Sequence, residues 1–489
     1  MEYQATIGLE IHAELRTKTK MFCGSKNDPD EKHPNVNICP VCVGHPGTLP
    51  VMNQEAVRQV QRVGLALGGT IQKESRFDRK NYFYPDLPKG YQISQYQHPL
   101  VWGGTLNGIR ITRVHLEEDT ARNIHQGNAS LVDFNRSGIP LMELVTEPDI
   151  TSASQARAFA EELQLVLQYI GASDANMEKG QMRCEANVSI SPSDALGTKV
   201  EVKNINSFRA VEAAIEYEIK RQAEVLGRGE KVKQETRGWD ENKGVTFSQR
   251  SKESAHDYRY FPEPDLPPLE FSELYIDELR VTIPELPSQK RKRFADEYGV
   301  SEQLIETLIR ERTLASFWEN ATSELREWLV PPSSRAQVEG SHVEGEKDKF
   351  GEAIKLAANY FTSDLLGLMK EKGIPAEELL LESENFAELI KMIVRKEISS
   401  RVAKDVLRHM VEKGGDPSTI VVDQGLGQVS NEAELSSVIK KVIAQNPKPV
   451  ADYKAGQQNA LQFLVGQVMK ETKGAANPAL IRELLIKNI

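Results

Sequence analysis

The 489-residue chain contains no Gly-Lys dipeptide, which excludes a Walker A phosphate loop. It also lacks G-x-G-x-x-G, H-E-x-x-H and G-x-S-x-G patterns. Those gaps remove the dinucleotide fingerprint, the zincin helix and the hydrolase nucleophile elbow. A nucleotide, if one is used, is therefore held by an unusual fold. Cysteine is scarce: four residues do not make a disulfide framework and point to a reducing compartment. No apolar run approaches the length of a membrane helix. A strand pattern begins within a few residues of Met1, so no signal or transit peptide is expected. The expectation is a cytoplasmic protein of bacterial type with no membrane association. Positive charge is in deficit too: the formal net charge is −10. Such a surface repels phosphate and argues against a general nucleic-acid coat. Locally the balance inverts. Lys440, Lys441, Lys448, Lys454, Lys470, Lys473, Arg482 and Lys487 face only Asp452, Glu471 and Glu483. The C-terminal end is thus basic on an acidic body, an imbalance that an ordinary mixed-charge surface also shows.

What is present begins with Thr6-Ile7-Gly8-Leu9-Glu10-Ile11-His12-Ala13-Glu14-Leu15. Ile7, Leu9, Ile11, Ala13 and Leu15 alternate strictly with Gly8, Glu10, His12 and Glu14, the pattern of a half-buried strand. Glu10 and His12 then project from one face, one pleat apart. Carboxylates beside an imidazole suit a hard divalent ion. Taken alone, the stretch reads first as a strand with one solvated, charged face. Three later stretches change that. They are His115-Leu116-Glu117-Glu118-Asp119, Leu141 to Asp149 with Glu143 amid Leu and Val, and Arg183-Cys184-Glu185-Ala186-Asn187. In the last, Arg183, Glu185 and Asn187 share a face while Met182, Cys184, Ala186 and Val188 point inward. A carboxylate buried like Glu143 must be paired, protonated or metal-bound. Several such strands in one domain line a cleft suited to a metal–nucleotide complex.

A positive counterpart runs from Phe77 to Tyr91, mixing Arg79, Lys80 and Lys89 with Tyr82, Tyr84 and Tyr91. Arg or Lys can hold phosphate there and a Tyr ring can stack a base, although Tyr rings half-buried in a β loop give the same sequence. Lys203 to Phe208 ends a strand and enters a helix, with Asn and Ser available as caps. Cys39-Pro40-Val41-Cys42, with Cys23 upstream, reads as most of a zinc knuckle, or as buried thiols without metal. His33, His45 or a water could supply the fourth ligand.

Residues 1–290 form one mixed region. Strands are predicted at Ile109–Leu116, Met182–Ile190 and Lys199–Val202, and helices over Ser154–Tyr169 and Ala210–Leu226. This is not a regular βα repeat, so the class is α+β, a largely antiparallel sheet with packed helices. Proline-rich punctuation from Phe261 to Pro268 and at Ile283–Pro287 closes it. Residues 291–413 are helical, broken by a polar loop at 332–349. Gly414-Gly415-Asp416-Pro417 opens a tail, 414–489, with three amphipathic stripes. These are Leu435/Val438/Ile439/Val442, Leu461/Leu464/Val465/Val468 and Leu480/Leu484/Leu485, with Pro478 near the first turn of the third.

Ile7–Leu15, Phe77–Tyr84 with Tyr91–Gln95, His115–Asp119 and Leu131–Gly138 together resemble the B subunit of the aspartyl/glutamyl-tRNA amidotransferases (GatB). So do Arg183–Asn187, Lys203–Phe208, Asp257–Asp265 and Phe463–Gln467; the matches run from end to end. The resemblance implies a cradle domain with a kinase-like site, a helical domain and a small YqeY-like tail that holds tRNA. It implies partners: an amidase (the A subunit) with a small C subunit, the three forming a heterotrimer, and misacylated Glu-tRNA(Gln) or Asp-tRNA(Asn). ATP would activate the side-chain carboxylate, and ammonia from the amidase would complete the amide. By motif, Mg²⁺ falls to Glu10, His12 and Glu118, which would be the catalytic set, with Glu143 and Glu185 as further ligands. Arg79, Lys80 and Tyr82 would meet the nucleotide or the tRNA 3′ end. Many members carry Cys-x-Cys where this chain has Cys23-Gly24-Ser25, so Zn²⁺ on Cys23, Cys39 and Cys42 would be structural at most. A related archaeal enzyme carries an inserted domain for which 489 residues leave no room.

Overall fold

The computed structural model describes residues 3–193, 195–251, 258–329, 344–426, 432–472 and 478–489. The chain divides into two compact units, Met1–Pro287 and Ser288–Ile489.

The first unit is built on a ten-stranded sheet. Its central strand is β1, Gln4–Glu14. It is flanked by Pro140–Thr146 on one side and Met182–Ser191 on the other, both antiparallel. Beyond Pro140–Thr146 comes Ile109–Glu118, and beyond Met182–Ser191 comes Val200–Ile205. Only Val200–Ile205 with Glu235–Asp240 pairs in parallel among the described strands. The largely antiparallel sheet expected from the irregular element order is what the chain forms.

One face of this sheet is apolar. Ile7, Leu9 and Ile11 are fully buried there, with Cys184, Ala186 and Val188 beside them. Each Leu or Ile removed from water contributes about 1.5–3 kcal/mol. Three helices cover that face: α1 (Gln54–Ala66), α2 (Ala153–Ile170) and α3 (Phe208–Gly227). Val60 and Val63 of α1, Phe159 and Leu163 of α2, and Val211 and Ile215 of α3 join one core with the strands. The helix boundaries are set by local chemistry. Asn53, Ser152 and Ser207 accept hydrogen bonds from the first backbone N–H groups, and Gly171 ends α2 in the left-handed conformation at φ 77°.

A small three-stranded sheet carries the basic, tyrosine-rich stretch. Its middle strand is β2, Asp78–Asn81, paired with β3, Tyr91–Ser94, on one side. Phe261–Pro262 pairs on the other side.

The second unit is helical. Trp318, Phe361 and Phe386 are fully buried and meet edge to face, with centroids 5.5 and 6.2 Å apart. Of the loop expected at 332–349, residues 332–343 lie outside the described part. Residues 344–349 open the helix Glu344–Asn359 instead of continuing a loop; Glu and Lys, which dominate there, are good helix formers. The Gly414–Gly415 break is real, with φ of 69° and 105°. The next helix, Pro417–Asp423, packs on Ser383–Val394 and Ser400–Lys413. The tail stripes close on one another: Leu435, Ile439, Val442, Leu461, Leu464, Val468, Leu484 and Leu485 form a core of their own with Ile481. A fourth helix, Pro447–Lys454, joins them unforeseen, because its sequence carries little apolar periodicity.

A carboxylate–histidine centre on the open face of the sheet

The register of the central strands decides which polar side chains meet. His12 stands opposite Glu143 on one neighbour and Arg183 on the other, and Glu10 stands opposite Glu185. Glu143 in turn stands opposite His115. Because paired residues share a face, these groups gather on the side away from the helices.

His12 is the hub. Its Nε2 lies 3.3 Å from Glu143 Oε2, 3.6 Å from Glu117 Oε1 and 4.0 Å from Glu10 Oε1. His115 Nε2 approaches Glu143 Oε2 at 3.5 Å, and Arg113 reaches Glu143 Oε1 at 3.7 Å. Glu117 and Glu143 are buried, and Ser94 donates a hydrogen bond to Glu117 at 3.0 Å. On the Glu185 side, Lys203 pairs with Glu185 at 2.8 Å and approaches Glu201 at 3.9 Å.

Crowding of like charge leaves a clear mark. Burial, with Glu143 and Glu185 nearby, pushes Glu10 up from 4.5 to about 7. Burial disfavours the His12 imidazolium, but Glu143, Glu117 and Glu10 outweigh it and hold His12 up at about 9. Burial likewise opposes charge on Glu143, and His115 and His12 overcome it, drawing Glu143 well below its usual range. Burial works against the Lys80 ammonium, while Glu117, Tyr260 and Glu143 hold it well above its usual value.

The donor set fits a divalent cation. Glu10, His12 and Glu143 offer ligand atoms within 4.8 Å of one another, and so do His115, Glu117 and Glu143, and Glu10, Glu185 and Glu201. Hard carboxylate oxygens with one or two imidazole nitrogens suit Mg²⁺ or Mn²⁺. Among the described residues the buried His115 Nδ1 has no hydrogen-bond partner, while Nε2 is the ring atom that faces Glu143.

Two residues expected at this centre lie elsewhere. Glu118 is turned to the other side of its strand, where it pairs with Lys89 and accepts the Ile93 N–H at 3.0 Å. Its neighbour Glu117 takes the place beside His12. The cause is a bulge: Val145 pairs with Arg113 but Thr146 pairs with Ile111, so Thr112 is extra. Ile109 and Ile111 face the core before it, Val114 and Leu116 after it. Parity therefore flips, and His115 and Glu117 become the open-face residues.

Arg79 is the second. Its guanidinium makes a two-pronged pair with Glu263 at 2.8 Å and a third contact to Asp265 at 3.1 Å. Lys80, on the alternate side of the strand, is held charged, against burial, by Glu117 and Glu143, while the Tyr82 hydroxyl, just past the strand, donates to Gln92 Oε1 at 3.4 Å. Arg79 thus holds the chain together where a phosphate contact was expected.

The cysteines do converge. Cys23, Cys39 and Cys42 bring their sulfurs within 4.8 Å of one another. Ser25 Oγ lies 4.0 Å from Cys42 Sγ. Lys20, fully buried, places Nζ 3.8 Å from Cys42 Sγ and donates to the Phe134 carbonyl at 3.1 Å. The Cys42 thiol is drawn down to about 5 by a hydrogen bond from the Cys23 thiol, against burial, with the Cys39 N–H and Lys20 helping. Cys23 and Cys42, with Lys89 and Glu118, line a cavity of about 190 Å³. Cys184 is plain core.

Among the described residues no helix is long and apolar enough to cross a membrane.

Residues 5–277 match the family model described as the GatB/GatE catalytic domain, and residues 345–489 match that of the GatB domain. The open-face centre lies wholly within the first match. Relatives named as the B subunit of aspartyl/glutamyl-tRNA(Asn/Gln) amidotransferase align over the full length. The Persephonella marina protein is 45% identical, covering 99% of both chains. The Thermodesulfovibrio yellowstonii protein is 46% identical, covering 100% of this chain and 99% of its own. The Thermomicrobium roseum protein is 46% identical, covering 99% and 98%. The chain belongs to the GatB family, the B subunits of the aspartyl/glutamyl-tRNA(Asn/Gln) amidotransferases.

Proposed function

We propose that this chain is the activating subunit of a tRNA-dependent amidotransferase. It converts misacylated Glu-tRNA(Gln), Asp-tRNA(Asn) or both to the amide. A side-chain carboxylate is a poor acyl donor because its leaving group would be oxide. Transfer of the γ-phosphoryl group of ATP to a carboxylate oxygen gives an acyl phosphate and ADP. Ammonia then attacks the acyl carbon and phosphate leaves. No amidase triad is legible in the sequence, so the ammonia comes from a partner. That partner is the amidase, the A subunit, in a heterotrimer completed by the small C subunit. A sheltered route is needed, because ammonia is protonated in bulk water.

The observation that carries this reading is the carboxylate ring around His12. Glu10, His12 and Glu143 would hold Mg²⁺, with Glu117 in the place first expected for Glu118 and with Glu185 close by. Bound there, the ion would offset the charge of the triphosphate as the phosphoryl group moves. Lys80 feels Glu117 and Glu143, so an ammonium stands at the centre, and the Tyr82 ring packs nearby against Tyr258. The basic tail suits contact with the phosphate backbone of tRNA, which calls for shape and charge more than base reading. The cysteine cluster would take Zn²⁺ only as a structural ion, with Ser25 in place of a fourth sulfur.

The test uses the reconstituted complex. Glu10→Ala or His12→Ala is expected to abolish ATP-dependent amide formation while glutamine hydrolysis persists; full amide formation by either would falsify the assignment. Ending the chain after Leu426, beyond the helix that packs on Ser383–Val394, is expected to weaken tRNA affinity and leave the first unit folded. Unchanged affinity would remove the role of the tail.

A further inference from the structure

Cys39 and Cys42 sit in one tight turn, in which the Val43 N–H donates to the Cys39 carbonyl at 3.2 Å. The turn folds the second sulfur back over the first. The Cys39 N–H donates to Cys42 Sγ at 3.1 Å, and the two sulfurs lie 3.9 Å apart. Both are free thiols. Cys42 is only 3% exposed, whereas Cys39 and Cys23 are half-buried. Cys42 is still reachable, because it lines the cavity of about 190 Å³ shared with Cys23. That space admits a molecule of a few heavy atoms.

Positive charge is aimed at the Cys42 sulfur from two sides. Lys20, with no exposed surface, places Nζ 3.8 Å away, and the Cys39 N–H is the second source. The Phe134 carbonyl accepts from Lys20 at 3.1 Å and fixes the ammonium in place. A sulfur in such surroundings favours thiolate over thiol. Zinc calls for four ligands, and three sulfurs with the Ser25 hydroxyl, 4.0 Å from Cys42 Sγ, make a weak set. Two sulfurs near contact, with no strong claim on them from a metal, have oxidation to a disulfide open to them. That bond is about 2.05 Å long, so closure needs a movement of about 2 Å within one turn.

We propose that Cys39 and Cys42 form a peroxide-sensitive dithiol, in which Cys42 is oxidised first and Cys39 closes the disulfide. The Cys42 thiolate attacks one oxygen of hydrogen peroxide. The O–O bond breaks, and the other oxygen leaves as hydroxide and takes up a proton to become water. The Cys39 thiol then gives up its proton and attacks the sulfur of the Cys42 sulfenic acid. The S–S bond forms, the S–O bond breaks, and the oxygen leaves as a second water with that proton. The two sulfurs lose two electrons and one peroxide becomes two waters. Cys23 is the competing partner, but it comes from a separate segment and no shared turn ties it to Cys42. Closure draws the Cys42 sulfur away from Lys20. The movement is passed on through the Cys42 carbonyl, which accepts from Ser137 at 3.0 Å. The next N–H, that of Gly138, donates to the Asp119 carbonyl at 2.9 Å, at the end of the strand that carries Glu117.

The experiment exposes the reduced full chain, in EDTA, to an equivalent of hydrogen peroxide and then alkylates the remaining thiols. Mass spectrometry of the tryptic fragment His33–Arg58, which holds both cysteines, reads the result. The fragment is expected to be unalkylated and two hydrogens lighter, with Cys23 and Cys184 still alkylated and dithiothreitol restoring both thiols. The reaction should run at least about tenfold faster than that of glutathione. Cys39→Ser is expected to stop at a sulfenic acid on Cys42, trapped by dimedone. Cys42→Ser should leave Cys39 reacting no faster than glutathione. Lys20→Met should slow the loss of thiols about tenfold or more. If that variant does not fold, the two serine variants, which keep the size of the thiols, decide the matter. A cross-link between the fragments of Cys23 and Cys42 would overturn the pairing. Thiols that react no faster than glutathione, or a dimedone adduct on Cys39 in Cys42→Ser formed at the wild-type rate, would overturn the proposal. Every readout is on the thiols, so the outcome is independent of whether amide is made.

Discussion

Two clusters in the first unit invite comparison, the carboxylate–histidine centre and the cysteine cluster. Both gather metal-capable side chains within 4.8 Å. They differ in where the balancing charge comes from. The cysteine cluster has an internal one: Lys20 is buried against Cys42. At the other centre Glu10, Glu117, Glu143, Glu185 and Glu201 outnumber Lys80, Lys203 and Arg113. Glu10 is left at about 7 and His12 is held at about 9. At the cysteines burial opposes the Lys20 charge while the three sulfurs favour it. A cluster whose carboxylates outnumber its cations favours a further cation from solution.

The largest effect is expected from separating Glu117 from Glu118. Glu117→Ala removes a carboxylate 3.6 Å from His12 and should lower amide formation by about a hundredfold to a thousandfold. Glu118→Ala leaves Lys89 unpaired beside the cysteine cavity and should act on thermal stability, with amide formation within about tenfold of wild type. Transamidation rates and melting curves of the two variants decide it; equal losses of activity would erase the distinction between the two sides of the strand.

Next in size is the pH dependence of the metal-free protein. His12 is raised from 6.5 to about 9, so its contribution is complete below pH 6.5 and is lost as pH rises through about 9. Glu10, raised from 4.5 to about 7, loses its contribution over the lower window. Urea titrations in EDTA should therefore show a decline on the order of 3 kcal/mol between pH 6.5 and 9. Millimolar Mg²⁺ should reduce it. A flat profile in EDTA would mean that the centre is not short of positive charge.

The smallest effect is at the cysteines. Ser25→Cys supplies a fourth sulfur where Ser25 Oγ already lies 4.0 Å from Cys42 Sγ. Zinc affinity, read by competition with a chromogenic chelator, should rise at least about tenfold. If wild type already holds zinc as tightly as the variant, Lys20 does not substitute for the ion and the contrast between the clusters fails.

Much of the fold was legible because burial follows period. Ile7, Leu9 and Ile11 on one side and Glu10 and His12 on the other need only a strand. Ser152 and Ser207 mark helix starts through cap chemistry. The tail stripes were readable for the same reason. The site was legible in its residue types more than in its membership. A bulge of one residue at Thr112 exchanged Glu118 for Glu117. Arg79 and Lys80, adjacent in sequence, went to opposite tasks because a strand sends neighbours to opposite faces. Lys20 gave no signal at all, since nothing local marks a lysine that will be buried.

The amino-acid order alone determined that this chain has a half-polar first strand, acidic and tyrosine-rich motifs, and helices with capped ends. Those are short-range matters of alternation and backbone hydrogen bonding. Only the tertiary structure decided which carboxylates surround His12, that Arg79 clamps Glu263 and Asp265, and that Lys20 meets the thiols. Those outcomes depend on strand register and on contacts between segments far apart in the chain, where a shift of one residue reverses the face of every side chain that follows.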